Sequence, residues 1–147
     1  MYKSIRCFAL GGSAVVASVL AVAVTAVAVN PETYRNRATG FCLDSNAARD
    51  VYTHRCNGGS YQKWIVTRVG SNRVLKNVAT GFCLDSDAAR NVYTRRCNGG
   101  SYQKWTVIRV GSDLKFKNVA TGFYLDSDAA REVYTRPSNG GSYQKWY

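Results

Sequence analysis

The chain has 147 residues, with 20 Lys and Arg against 9 Asp and Glu, a formal charge of +11. That length leaves room for one domain and little else once a targeting segment is set aside. The basic excess favours anionic partners or surfaces and by itself says nothing about fold.

In chain order, residues 1–6 carry Lys3 and Arg6, and 7–29 run without a charge through mainly Ala, Val and Leu. A positive start, an apolar stretch and small residues at Ala26 and Ala28 in the A-x-A arrangement describe a secretory signal peptide over 1–28. The same 23-residue run is long enough to cross a bilayer, so an uncleaved N-terminal anchor is the alternative. Cleavage leaves one secreted domain, 29–147, with 18 basic and 9 acidic residues, or +9. Its four cysteines, Cys42, Cys56, Cys83 and Cys97, sit in an oxidising compartment and read as two disulfides.

Three tripeptides, Gln62-Lys63-Trp64, Gln103-Lys104-Trp105 and Gln144-Lys145-Trp146, follow one another at a spacing of 41 residues. Residues 35–65 match 76–106 at 25 of 31 positions, and 76–106 match 117–147 at 26 of 31, so one module is written three times, over about 35–75, 76–116 and 117–147. Within each module, β-branched and aromatic runs such as 41–45, 51–56 and 64–69 are broken by Gly, Asn, Asp and Ser, which predicts short strands and tight turns. A 41-residue β module cannot close a core alone and leaves open strand edges. Three copies around an axis remove the edges and pool the apolar faces, with the segment before Tyr34 completing the ring.

Gln-x-Trp at the end of each module, after Cys-Leu-Asp and Cys-Asn-Gly-Gly, resembles the ricin B-type lectin family over 33–147. The resemblance implies an all-β chain: a β-trefoil of three internal 41-residue repeats with pseudo-three-fold symmetry that binds carbohydrate. In lectins resembling this one, the positions matching Asp44, Tyr52, Asn57 and Tyr61 contact mannose. The same carry-over reaches Asp85, Tyr93, Asn98 and Tyr102, then Asp126, Tyr134, Asn139 and Tyr143. A carboxylate, an amide and two flat phenol rings suit a neutral sugar, offering lone pairs to vicinal hydroxyls and faces to the C–H side of a pyranose. The family pattern makes Gln62, Gln103 and Gln144 ties for loop backbone, and Trp64, Trp105 and Trp146 core.

In the third module Tyr124 and Ser138 replace both cysteines together, which pairs Cys42 with Cys56 and Cys83 with Cys97. The third module should then be the loosest, because a disulfide closing a 15-residue loop contributes roughly 3 kcal/mol. Setting Cys42 across from Cys56 in a hairpin makes Asp44 face His54, with Tyr52 one diagonal step away on the outer face. Leu43, Val51 and Thr53 take the core side. In this register Arg95 faces Asp85 and Arg136 faces Asp126, so His54, Arg95 and Arg136 border the sugar site or hold the hairpin as cross-strand partners. Arginine there invites acidic sugars or phosphate. Ala-Ala-Arg at 47–49, 88–90 and 129–131 stands where related lectins place an aromatic residue and a Gly, so easy access to positive φ is lost and another loop path is expected.

Catalysis is disfavoured. The single His54 has no copy, and Asp50 becomes Asn91 and then Glu132, so the paired carboxylates of a glycosidase do not recur. The cysteine spacing is not that of zinc, and the Asp85-Ser86-Asp87 run lacks the Gly and distal Glu of a calcium loop. The expectation is a monomeric, non-enzymatic binder of clustered or high-mannose-type glycans. It needs no cofactor or metal, has no specific nucleic-acid partner and no membrane span after leader cleavage. The alternative is a polyanion-binding module for acidic glycans, cell-wall polymers or nucleic acid.

Overall fold

The computed structural model describes residues 11–12 and 29–147. The leader assigned to 1–28 lies, apart from Gly11 and Gly12, outside the described residues, as does Cys7. Among the described residues no helix is long and apolar enough to cross a membrane.

Among the described residues ten strands follow in order: β1 (Cys42–Ser45), β2 (Val51–His54), β3 (Trp64–Val69), β4 (Asn72–Asn77), β5 (Cys83–Ser86), β6 (Val92–Arg95), β7 (Trp105–Val110), β8 (Asp113–Asn118), β9 (Tyr124–Ser127) and β10 (Val133–Arg136). A short 3₁₀ turn stands before each tryptophan, at Ser60–Gln62, Ser101–Gln103 and Ser142–Gln144. The hairpins β3–β4 and β7–β8 pair over six residues each and form most of a barrel. Closure falls to the two ends of the domain, where Glu32 bridges Trp64, Asn36 bridges Trp146, and Trp146 also bridges Leu114. Arg73 opposite Trp105 is the equivalent contact between β4 and β7. Every tryptophan thus stands at a corner between two strands, fully buried, with its indole N–H donating to a leucine carbonyl: Leu43, Leu84 or Leu125.

The hairpins β1–β2, β5–β6 and β9–β10 cap one end of the barrel. Isolated bridges join them in a ring, Asp50 with Tyr93, Asn91 with Tyr134, and Glu132 with Tyr52. Inside the cap and barrel, the leucines at 43, 84 and 125 and the valines at 51, 92 and 133 meet the three tryptophans. Tyr34, Leu75 and Phe116 occupy equivalent positions and differ, with Tyr34 edge-on to Phe116 at 4.9 Å between centroids.

The cap turns hold the modules together. Arg49, Arg90 and Arg131 adopt φ of 78, 74 and 75°, so positive φ is reached here without glycine. A non-glycine residue there costs about 1–2 kcal/mol, and two contacts with the next module offset it. The carbonyls of Arg49, Arg90 and Arg131 accept from the Thr94, Thr135 and Thr53 N–H at 2.9 Å. The guanidinium groups lie over Phe82, Phe123 and Phe41, 5.0–5.2 Å from the centroids.

Disulfides close between Cys42 and Cys56 and between Cys83 and Cys97, with Cα atoms 5.1 Å apart. They do not join directly opposed residues. Cys42 faces His54, Leu43 faces Thr53 and Asp44 faces Tyr52, and β5–β6 and β9–β10 repeat this register. The expected facings of Asp44 with His54, Asp85 with Arg95 and Asp126 with Arg136 are therefore corrected by two residues. Cys56 lies just beyond the end of β2 and bonds to its diagonal neighbour. A shift of two keeps side-chain parity, so Leu43, Val51 and Thr53 remain on the buried face, at 0, 7 and 0% exposure.

The third module, expected to be loosest, carries a different tie. Buried Lys115 donates from Nζ to Ser138 Oγ at 2.7 Å and lies 4.3 Å from the centroid of the Tyr124 ring. Burial lowers its pKa from the ordinary lysine value. Val74 is the residue at the matching position of the second module, which keeps Cys83 and Cys97. Tyr124→Cys, Ser138→Cys and Lys115→Val together recreate the second module's arrangement. This variant is expected to gain about 3 kcal/mol over its own reduced form, measured as a rise in the urea midpoint of the oxidised protein.

Candidate functional site

The polar face of each cap hairpin lies beneath the loop that follows it. Asp44, Asp85 and Asp126 are only 5, 2 and 3% exposed, where the sequence reading placed them on an outer face. The correction has a simple cause: the loop from 55 to 62 folds back over the hairpin and inserts Gln62. The Gln62 amide donates from Nε2 to Asp44 Oδ2 at 2.8 Å and to the Arg55 carbonyl at 2.9 Å, while its Oε1 accepts from the Asn57 N–H at 2.9 Å. Gln103 and Gln144 make the same three bonds, to Asp85, Arg96 and Asn98 and to Asp126, Pro137 and Asn139.

Each carboxylate is a buried, tethered group rather than a surface one. Its Oδ2 is engaged by the glutamine. Among the described residues no side chain donates to Oδ1, and at Asp126 the Ser127 backbone also hydrogen-bonds to the carboxylate. Burial raises the Asp126 pKa above the ordinary 3.8, opposed by the Gln144 hydrogen bond and the Arg136 charge.

The walls are aromatic. Tyr52, Tyr93 and Tyr134 stand directly opposite these aspartates and are half-buried. Their phenols are raised above 10.0, first by burial and then by neighbouring charge: Asp44 and Asp50 at Tyr52, Asp85 and Asp87 at Tyr93, Asp126 at Tyr134. Tyr61, Tyr102 and Tyr143 stand exposed on the 3₁₀ turns, at 41, 43 and 38%. Asn57, Asn98 and Asn139 have less to offer than the sequence implied. Asn57 Oδ1 accepts from the Gly59 N–H at 2.8 Å, and Asn98 and Asn139 do likewise, which occupies one lone pair of each oxygen and makes Nδ2 the less committed group. The turn is tight enough that a Cβ on Gly59 would come 2.9 Å from that oxygen.

The residues two beyond these tyrosines differ. His54 is edge-on to Tyr52 at 6.5 Å, whereas the Arg136 guanidinium lies over the Tyr134 ring at 4.7 Å. Neither Arg95 nor Arg136 pairs with an aspartate; the one ion pair among the described residues joins Arg37 to Asp113.

Sequence reasoning missed that each site borders the preceding module. Asp50 and the turn at 48–49 line a cleft of about 270 Å³ with Tyr93 and Arg95, and Glu132 bridges Tyr52 across the next boundary. The signal was present, since Asp50, Asn91 and Glu132 vary where the modules otherwise agree, but only closure reveals what they face.

A sequence profile described as the ricin-type beta-trefoil lectin domain matches residues 31–146. No curated protein sequence matches the chain. Among solved structures, the designed three-fold symmetric protein ThreeFoil is 25% identical with a TM-score of 0.73, over 78% of this chain and 94% of that one. An exo-β-1,3-galactanase from Clostridium thermocellum is 22% identical with a TM-score of 0.73, over 79% of this chain and 29% of the enzyme. A GlcNAcα1-4Gal-releasing endo-β-galactosidase from Clostridium perfringens is 18% identical with a TM-score of 0.74, over 80% and 32%. The last two likenesses are of fold.

Gln103→Leu strands a buried carboxylate oxygen, an N–H and a carbonyl at once. It is expected to destabilise the domain by about 2–5 kcal/mol, whereas Tyr102→Phe, at the rim, should stay within about 0.5 kcal/mol. Urea unfolding of the two variants beside the parent checks the contrast.

Proposed function

This chain belongs to the ricin-type β-trefoil lectin domain family, a carbohydrate-binding module, and from that premise we propose an exported, non-catalytic lectin with one shallow glycan site per module. The observation that carries the reading is the threefold recurrence of a glutamine-held aspartate beneath a tyrosine. Asp44 Oδ1 accepts from sugar hydroxyls, Asn57 Nδ2 donates, and Tyr52 and Tyr61 take the apolar face of the ring. Asp85, Tyr93, Asn98 and Tyr102 do so in the second module, and Asp126, Tyr134, Asn139 and Tyr143 in the third. Mannose-type or related glycans are the proposed ligands, and two intramolecular disulfides fit an extracellular setting. Some structural neighbours act on galactose-containing glycans, so galactose belongs among the competitors tested.

A site this shallow binds a monosaccharide at about 1 mM, or ~4 kcal/mol. Three sites engaging one clustered glycan add a factor of ~10²–10⁴ when its arms span them. A second reading, polyanion binding, is favoured by Arg68 facing Arg73 across β3–β4. Its signature is steep loss of binding with salt, to which a neutral-sugar site scarcely responds.

Asp44→Asn, Asp85→Asn and Asp126→Asn, which keep an oxygen for the glutamine, should each lower glycan-array avidity in steps. The triple variant should lose free-mannose-competable binding altogether; full retained binding refutes the assignment. With Asp44 and Asp85 changed to Asn, the surviving module depends on ionised Asp126. Because burial raises that pKa, its binding should fall away on acidification with a midpoint above 3.8; calorimetry across the acid range reads this, and a midpoint at or below that value contradicts it.

A further inference from the structure

The three sites are copies in sequence but not in charge. Where the modules meet at the cap, a cavity of about 470 Å³ opens beside Tyr52. Asp50, Tyr52 and His54 line it from module one, and Glu132 and Tyr134 from module three, over a floor that includes Val92 and Val133. Glu132 is bridged to Tyr52, and Asp50 precedes Tyr52 by two on the same side of the chain, so carboxylates flank this tyrosine from two modules. Behind it stands Asp44, nine-tenths buried, with Oδ1 unengaged by any side chain among the described residues.

Among the described residues no cation fills this place. Arg131 also lines the cavity, but its guanidinium is held over Phe41 at 5.2 Å. Among the described residues the Asp50 carboxylate accepts only from the neutral Asn46 side-chain amide, at 3.0 Å, and neither Asp50 nor Glu132 forms an ion pair. Module three shows what the same tyrosine face accepts: Arg136 lies over Tyr134 at 4.7 Å. Module one has His54 at that position, edge-on to Tyr52, and among the described residues no Lys or Arg lies over the Tyr52 ring.

We propose that the module-one site selects a sugar bearing a protonated amine, with the ammonium against Tyr52 between Asp50 and Glu132. The proposal rests on the reading that Asp44 and Tyr52 hold a sugar ring. Module three already satisfies its tyrosine internally, and in module two the positive Arg95 lines the cleft beside Tyr93 and repels a second cation, so the preference belongs to one site in three. A cation on an aromatic face gains most when carboxylates stand beside it.

Calorimetric titration of the whole protein with glucosamine, N-acetylglucosamine and mannose at low salt tests this. Glucosamine should bind one site about tenfold more tightly than N-acetylglucosamine, equivalent to ~1.4 kcal/mol. The D50N/E132Q variant should bring the two sugars level and leave mannose affinity unchanged. His54→Arg, which copies the other modules, should also abolish the preference. Equal affinity in the parent, or a preference surviving in D50N/E132Q, overturns the inference while mannose binding keeps the lectin reading intact. A carboxylate-dependent glucosamine preference without mannose binding sustains the charge selection and sinks the neutral-sugar assignment.

Discussion

No copy of the repeat possesses a complete corner of the barrel. Each tryptophan needs a strand on both sides, and for Trp146 these come from Asn36, at the opposite end of the domain, and from Leu114. The ends of the domain are therefore structural partners, and closure is what removes every open barrel edge. The cap repeats the constraint through the arginine turns. A left-handed arginine costing about 1–2 kcal/mol is set against a backbone hydrogen bond of about 1 kcal/mol and an exposed cation–π contact of about 0.5–1 kcal/mol. The strain is balanced only when the next module is in place, so the turn geometry and the assembly of the three modules are coupled.

Fold and binding meet in one side chain. The glutamine before each tryptophan satisfies an N–H and a carbonyl in the loop that covers the hairpin, and the same amide orients the aspartate beneath. A carboxylate held in this way loses little freedom when a ligand arrives, which favours a small, rigid site over a deep one. In the proposed site, one carboxylate oxygen of each aspartate belongs to the fold and the other is left for the sugar.

The modules have diverged where the fold tolerates it. Tyr34, Leu75 and Phe116 fill one shared core position with different volumes, and a lysine clamped between Tyr124 and Ser138 occupies the place of a disulfide in module three. At the cap rim, Asp50, Asn91 and Glu132 keep the backbone bridges while changing the charge beside each tyrosine. Near-identical copies can thus keep one architecture and present three unlike surfaces.

Much was legible from the residues alone. The 41-residue spacing gave the threefold architecture, the joint loss of two cysteines paired the other four, and period-two alternation put Leu43, Val51 and Thr53 inside. Those features are written in periodicity, which survives a register error of two. Which residue faces Asp44, how deeply it is buried and which module borders each tyrosine were decided by tertiary structure. The loop that covers the aspartate, and the neighbour that touches the tyrosine, come from segments brought together only when the ring closes; a repeat read by itself contains neither contact.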